Sequence, residues 1–406
     1  MPGGPTYPVT QRCAYLNTGW SGPNSTAVVA AMHARAEREG YGGPAAPDVR
    51  HEKALLVRGV RARFARLIGA GEDEVALTYT TTEGVNTALF GLGLRPGDEV
   101  VTCNLEHNAV MVPAYEARRR LGTGLRIVRL PSRDETAATI ADAFEQAMSP
   151  RTRLVVVSHV SWNRGTRLPI AAICERAHAR GALVCVDAAQ SAGHVPVDVR
   201  ALRCDILTMP GHKWLLGPDG AAMLYVRRDL IERLRPLAVV HGASRQYDYE
   251  GHFEPADDTI HKFELTTHSG VVLAGLQQAL DEALARDREA IERHCLGLGT
   301  RAIEGLQRIG GVRITTPLHE SVRTGIVTFE VDGTNPHEAC AALWRLDRIV
   351  TRVVNDKRLR ACFAAFNSEG DVDRLLAAAG QLVTRGLPAG TPAAGEWKAY
   401  LADAED

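Results

Sequence analysis

Short runs of β-branched and apolar residues alternate with helical stretches from about residue 50 to 235. The runs are Val75–Tyr79, Glu99–Cys103, Leu125–Leu130, Leu154–Ser158, Leu183–Asp187, Asp205–Met209 and Ala221–Val226. Several, such as LVVVS and LVCV, are apolar on both faces, the pattern of strands covered by helices on both sides. Between two of them lies LPIAAICERAHARG, where Ile170, Ile173, Cys174 and Ala177 form a helical stripe. Pro169 is read at its first position and Gly181 at its end. Seven strands joined by crossover helices predict a mostly parallel, doubly wound α/β sheet. Ligands of such sheets bind at the carboxyl ends of the strands.

The pattern changes after residue 240. The stretch HGASRQYDYEGHFEPADDTIHK is polar and reads as a loop spanning about 241–270. A long helical stretch follows, Val271–Ile309, punctuated by Gly299 and Gly310–Gly311. Strand candidates Val312–Thr316, Gly325–Val331 and Leu359–Phe363 and a closing helix Asp371–Arg385 complete a smaller α+β unit. The predicted division is a large domain over 1–270, a small C-terminal domain over 271–388 and a loosely held tail over 389–406.

Composition narrows the function. Apolar residues make up 45% of the 406 positions, enough for a sizeable core. A formal net charge of −1 supplies no basic field for nucleic acid or an anionic membrane. The first twenty residues lack the cationic and apolar regions of a signal peptide, and no apolar run approaches the roughly 18 residues of a membrane span. The eight cysteines are scattered without a CxxC pair, which points to a reduced, cytoplasmic protein. Cys103 and His107 have a spacing that suits a metal, but two ligands do not make a site, and none is expected.

Candidate chemistry sits where the strands end. Lys213, in MPGHKWLLGPDG, follows a strand and precedes a Gly-Pro turn. Alone it reads as a surface charge, whereas a held and desolvated lysine can present a neutral amine to a carbonyl. Asp187 ends LVCVD, either as a helix cap or as partner to a protonated ring nitrogen, and Gln190 lies three residues on. The separation of Asp187 and Lys213 lets the chain cross over and bring both to one sheet edge. Thr80, Thr81 and Thr82 precede an apolar-periodic helix, as an ordinary N-cap or as a phosphate cradle. His107 and Asn163 follow two further strands; singly each is bland. Five strand ends together suit a phosphorylated pyridine.

These motifs carry a resemblance. YLNTGWSGPNSTAVVAAM, TTTEGVN, EHNAV, SHVSWNRGTRLPI, VDAAQSAGHVPVDV, GHKWLLGPDG, KFELTT and RACFAAFNSEGDVDRLL resemble the class V aminotransferases. These are pyridoxal-5′-phosphate (PLP) enzymes with the aspartate aminotransferase type I fold. The resemblance implies that Lys213 carries PLP as a Schiff base, that Asp187 pairs with the pyridinium, and that His107 stacks on the ring. It further implies Asn163 and Gln190 at the phenolic oxygen and Thr81, Thr82 and His212 at the phosphate. Thr267 would reach in from the second subunit of a homodimer, and Arg360 and Arg352 would bind an amino acid's carboxylate.

Two departures stand out. Pro210 occupies a position where many relatives have serine. Cysteine desulfurases of this family carry a nucleophilic cysteine shortly after the arginine at 352, but here VVNDKRL has none. The branch most similar in motifs is the cysteine/cystine C–S lyases. Isopenicillin N epimerase-like proteins and enzymes that process cysteine S-conjugates in natural-product pathways are near neighbours. The implied reaction is β-elimination from an S-substituted cysteine; transamination, epimerisation and decarboxylative deamination are the alternatives on such a site.

Overall fold

The computed structural model describes residues 6–130 and 135–401. Its main sheet has seven strands in the spatial order Val75–Thr78, Ala222–Val226, Ile206–Pro210, Leu183–Asp187, Thr152–Ser158, Glu99–Cys103 and Gly124–Val128. Ala222–Val226 alone runs against its neighbours; the other six are parallel. Every residue of Leu183–Asp187 after Leu183, and all of Ile206–Pro210, is buried, as the apolar runs require. The carboxyl ends of the six parallel strands therefore share one edge.

A second, antiparallel sheet has the order Val312–Ile314, Ile326–Val331, Arg358–Cys362, Arg352–Val354. The last strand was not anticipated, because TRVV is too short to show a period. It turns into Arg358–Cys362 through Asn355 and Asp356, both left-handed at φ of 54° and 50°. Asn and Asp tolerate that region better than most residues.

Several local readings need adjustment. The stretch Val271–Ile309 is two helices, Gly270–Leu284 and Arg288–Gln307, and Asp287 caps the second by accepting from Ala290 N. The first of them contributes Leu273, Leu276 and Leu280 to the core of the large sheet, while the second packs under the small one. Gly299 lies inside that second helix and does not interrupt it. Pro169 is the N-cap of helix Ile170–His178, one position before the expected first turn. The polar loop contains a small hairpin, Ser244–Tyr247 with Phe253–Pro255.

Over its described residues the tail is tied to the small unit, and so is the N-terminal segment. Strand Ala14–Tyr15 pairs with Ile349–Val350, so the N-terminal segment joins the small unit before crossing to the large one. The tail forms a helix, Ala394–Leu401, beside helix Pro336–Asp347, and Lys398 pairs with Asp356 at 2.9 Å. All eight cysteines are buried, and none forms a disulfide among the described residues. Among the described residues no helix is long and apolar enough to cross a membrane.

Candidate active site

Lys213 leaves the end of strand Ile206–Pro210 in a tight loop. Gly217 N donates to Gly211 O, and Leu216 N donates to Lys213 O. Gly22 lies against this loop so closely that a Cβ there would sit 2.1 Å from Lys213 O, so the N-terminal segment clamps the lysine from above. Burial pulls the Lys213 amine down to about 8; nearby Asp187 opposes the shift, and Arg360 and Arg352 add to it. A larger neutral fraction near pH 7–8 makes this a better nucleophile than an ordinary lysine.

Asp187 ends the adjacent strand. Its Oδ1 accepts from Ala189 N at 2.8 Å, and burial raises its pKa against that hydrogen bond and the field of Lys213. No helix starts there; residues 188–194 form turns. The carboxyl therefore holds a turn and faces the lysine.

His107 caps helix Asn108–Leu121, its Nδ1 accepting from Ala109 N at 3.2 Å. Desolvation and the cations Lys213, Arg352 and Arg360 depress it to about 4. The ring is neutral near pH 7, and the Nδ1 contact assigns its proton to Nε2. Trp162 meets it edge-on with centroids 5.0 Å apart. Trp162 is in turn fixed by donating from Nε1 to the Glu106 carbonyl at 3.1 Å. Thr80 is the cap of helix Thr81–Gly91, accepting from Glu83 N, which leaves Thr81 and Thr82 in the first turn.

These groups line a cavity of about 200 Å³ whose walls include Thr81, Thr82, His107, Asp187, Gln190 and Lys213, with His212 beside them. A second cavity, of about 340 Å³, shares His107, Trp162, Gln190, His212 and Lys213 and extends to Trp20, Arg352 and Arg360. Arg360 is only 1% exposed. Its Nη1 donates to Trp162 O at 2.9 Å and its Nη2 to Asn17 Oδ1 at 3.2 Å, while buried Nε has no partner. Arg352 lies directly opposite Arg360 in the strand pair and stacks its guanidinium 3.5 Å from the Trp20 ring centroid. Like charges facing each other across a ladder are unfavourable, so this arrangement favours an anion between or beside them.

Not every candidate residue reaches the cavities. Asn163 is buried with Oδ1 unpartnered but is not on either wall. Gln190 is engaged at both ends, accepting from Trp214 Nε1 at 2.9 Å and donating to Gly19 O at 2.8 Å. Thr267 is exposed and off the walls, in a left-handed conformation (φ 75°) uncommon for a β-branched residue. Its neighbour Thr266 accepts from the Tyr79 hydroxyl through its carbonyl at 2.7 Å, which ties the segment to the Thr80–Thr82 edge. Asn17, Trp20, Trp162 and Trp214 had not been singled out as site residues. YLNTGW, SHVSWNRG and GHKW carried them, but only tertiary packing gives them a task.

The sequence model of the family "Aminotransferase class-V" matches residues 22–375. The chain belongs to the class V aminotransferase family. A probable cysteine desulfurase of Methanothermobacter thermautotrophicus is 32% identical, over 70% of this chain and 69% of its own length. Probable cysteine desulfurase 2 of Mycobacterium leprae is 32% identical over 78% of each. Among solved structures, the cystine C–S lyase C-DES in complex with its reaction product cysteine persulfide aligns with a TM-score of 0.84. It is 26% identical and covers 92% of this chain and 99% of that one. A variant of C-DES with glycine covalently linked to its PLP aligns equally well.

This class V enzyme uses PLP, and its residues fit that cofactor. The smaller cavity joins a carboxylate, a lysine of lowered pKa, a neutral imidazole and a helix N-terminus bearing two hydroxyls. His212 Nδ1 on its wall is buried without a hydrogen bond, 3.6 Å from Asp219, polar capacity that an apolar occupant would leave unsatisfied.

Proposed function

We propose that the chain is a C–S lyase that eliminates a thiolate from an S-substituted cysteine, giving a thiol or persulfide, pyruvate and ammonia. The observation that carries this reading is the hairpin of Arg352–Val354 and Arg358–Cys362, which turns through Asn355, Asp356 and Lys357. It sets two arginines at the substrate cavity and carries no thiol where a desulfurase of this family has its nucleophile. Cys362, on the hairpin's second strand, is wholly buried, with its thiol pKa raised by that burial. Relatives named as cysteine desulfurases and a neighbour titled as a cystine C–S lyase both support cysteine C–S chemistry.

PLP, when bound, supplies an electron sink for the pair left at Cα. Lys213 would carry it, Asp187 would keep its ring nitrogen protonated, and His107 would lie against its face. Thr81, Thr82 and His212 would hold its phosphate. Asn163 and Gln190 would reach the phenolic oxygen, Gln190 through the amide hydrogen not given to Gly19.

Arg360 grips the substrate carboxylate with the donors that Trp162 and Asn17 leave free, and Arg352 adds charge beside it. That fixes Cα near Lys213. The Lys213 amine takes the Cα proton, and the Cβ–S electron pair departs on sulfur. A thiolate, whose acid has a pKa of about 8.5, leaves far more readily than hydroxide, from water near 15.7. The 2-aminoacrylate so released takes up water to give pyruvate and ammonia.

The working unit is a homodimer in this reading, with Thr267 meeting the partner's phosphate site. Its exposure and its strained φ, uncommon for a β-branched residue, suit a residue held for a contact outside its own chain. Eight buried cysteines outside disulfides suit a cytoplasmic setting. The substrate class extends to cysteine S-conjugates of natural-product pathways.

The test is product analysis with S-methyl-, S-benzyl- and S-cysteinyl-cysteine and no added 2-oxo acid. Pyruvate is expected in equal amount with the thiol from the first two and with cysteine persulfide from the third. A requirement for a 2-oxo acid would make the enzyme an aminotransferase; CO₂ with an intact C–S bond would make it a decarboxylating deaminase.

A further inference from the structure

A third cavity, of about 390 Å³, lies behind the substrate cavity. Trp20 and Arg352, stacked on each other, line both, so the two cavities meet at this pair. Asn17, which holds Arg360, also lines it. Its far side is built from Trp344, Ile349 and the C-terminal helix Ala394–Leu401 through Trp397, Tyr400 and Leu401. Trp397 and Tyr400 stack at 5.5 Å, and the buried indole Nε1 of Trp397 has no partner. Most of the remaining polar wall is spoken for: His337 bonds Asp356 at 2.7 Å, and Cys340 and Thr351 bond each other at 3.6 Å.

We propose that this cavity is the subsite for the group borne on the substrate's sulfur, and that this group is apolar, an aromatic or branched aliphatic thiol. The inference rests on the C–S lyase reading and extends it to substrate choice. At about 30 Å³ per water-sized group, the space takes roughly a dozen such groups, a size suited to an aryl thiol. A second amino-acid head, as in cystine, would find one cation, Arg352, for its carboxylate but set its ammonium against the indoles and aliphatic side chains of the wall, at a cost in hydration. The tail helix therefore serves as a specificity wall, with Trp397 as its main contact. Its lone Nε1–H is left for a single acceptor on the incoming group.

The test compares S-benzyl- with S-methyl-L-cysteine in the wild-type holoenzyme and in Trp397→Ala and Val353→Trp, which remove a wall and fill the cavity. Wild type should favour S-benzylcysteine at least tenfold in kcat/KM. Each variant should lose at least tenfold on S-benzylcysteine and stay within threefold on S-methylcysteine, with an unchanged visible cofactor band. Affinity is also read without turnover, from the visible spectral change on adding each amino acid. If neither substrate yields pyruvate while affinities show the same selective loss, the lyase reading falls and the subsite stands. A wild type without preference, or variants that lower both substrates equally or neither, would overturn the subsite. Val353→Trp that fails to fold leaves Trp397→Ala, on a surface-mounted helix, to decide.

Discussion

Replacing Arg360 by alanine tests the anchor on which the geometry of proton removal depends. The guanidinium has five N–H donors; one goes to Trp162 O and one to Asn17 Oδ1, and Nε is idle. A carboxylate held by two charge-assisted contacts gains about 1.5–3 kcal/mol for each. Taking about 3 kcal/mol as the net loss, kcat/KM falls roughly 150-fold at about 1.36 kcal/mol per tenfold. The substitution also strips donors from Trp162 O and Asn17 Oδ1, so some stability is lost as well. The assay is therefore initial-rate pyruvate release from S-benzylcysteine, read beside Tm and the visible cofactor band. The band should persist, because Arg360 lines the substrate cavity and not the smaller one. Arg360→Lys keeps charge without the planar fork and should recover only part of the loss. A fall below about fivefold, or about 1 kcal/mol, in folded Arg360→Ala would refute the assignment.

Further outcomes follow from the same geometry. With the Lys213 amine drawn down to about 8, the neutral form grows as pH rises through that value, so the rate at which cofactor-free enzyme captures PLP should rise with a midpoint near 8. A rate still climbing past pH 10 would contradict it, and Lys213→Ala should show no lysine-linked visible band. Cys340→Ser and Cys362→Ser should leave turnover within about threefold in folded protein; a complete stop in either would implicate an enzyme thiol. Sedimentation at micromolar concentration should give a dimer, and a monomer retaining cofactor and full activity would remove Thr267 from the site.

The main sheet was legible because both-face burial writes continuous apolar runs, and each predicted run lies within a residue or two of its strand. The strand ends then pointed to the Lys213–Asp187 pair and to Thr81, Thr82 and His107 on one edge, and these residues line one cavity. What the sequence hid depends on distant packing. Nothing local in TRVV signals a strand, yet pairing with Arg358–Cys362 makes one and sets Arg352 opposite Arg360. The break after Leu284 was masked by strong helix formers on both sides, although Asp287 offered a cap. A Pro- and Ala-rich tail reads as loose until Trp397 and Lys398 find their contacts. Gln190 stands near Lys213, but its ties to Trp214 and Gly19 appear only in three dimensions.

The central claim is elimination without an enzyme thiol, and the fate of the three-carbon skeleton tests it most directly. Attack by a cysteine on the substrate sulfur returns the bonding electrons to Cβ and yields alanine, whereas elimination yields pyruvate. Quantifying both by NMR after reaction with L-cysteine and S-benzyl-L-cysteine, in wild type and in the Cys340→Ser/Cys362→Ser double variant, separates the two. The account predicts pyruvate and benzyl thiol in equal amounts from S-benzylcysteine, no alanine from either substrate, and the same result in the double variant. Alanine as the major product of L-cysteine, with sulfur carried on a cysteine of the enzyme, would contradict it.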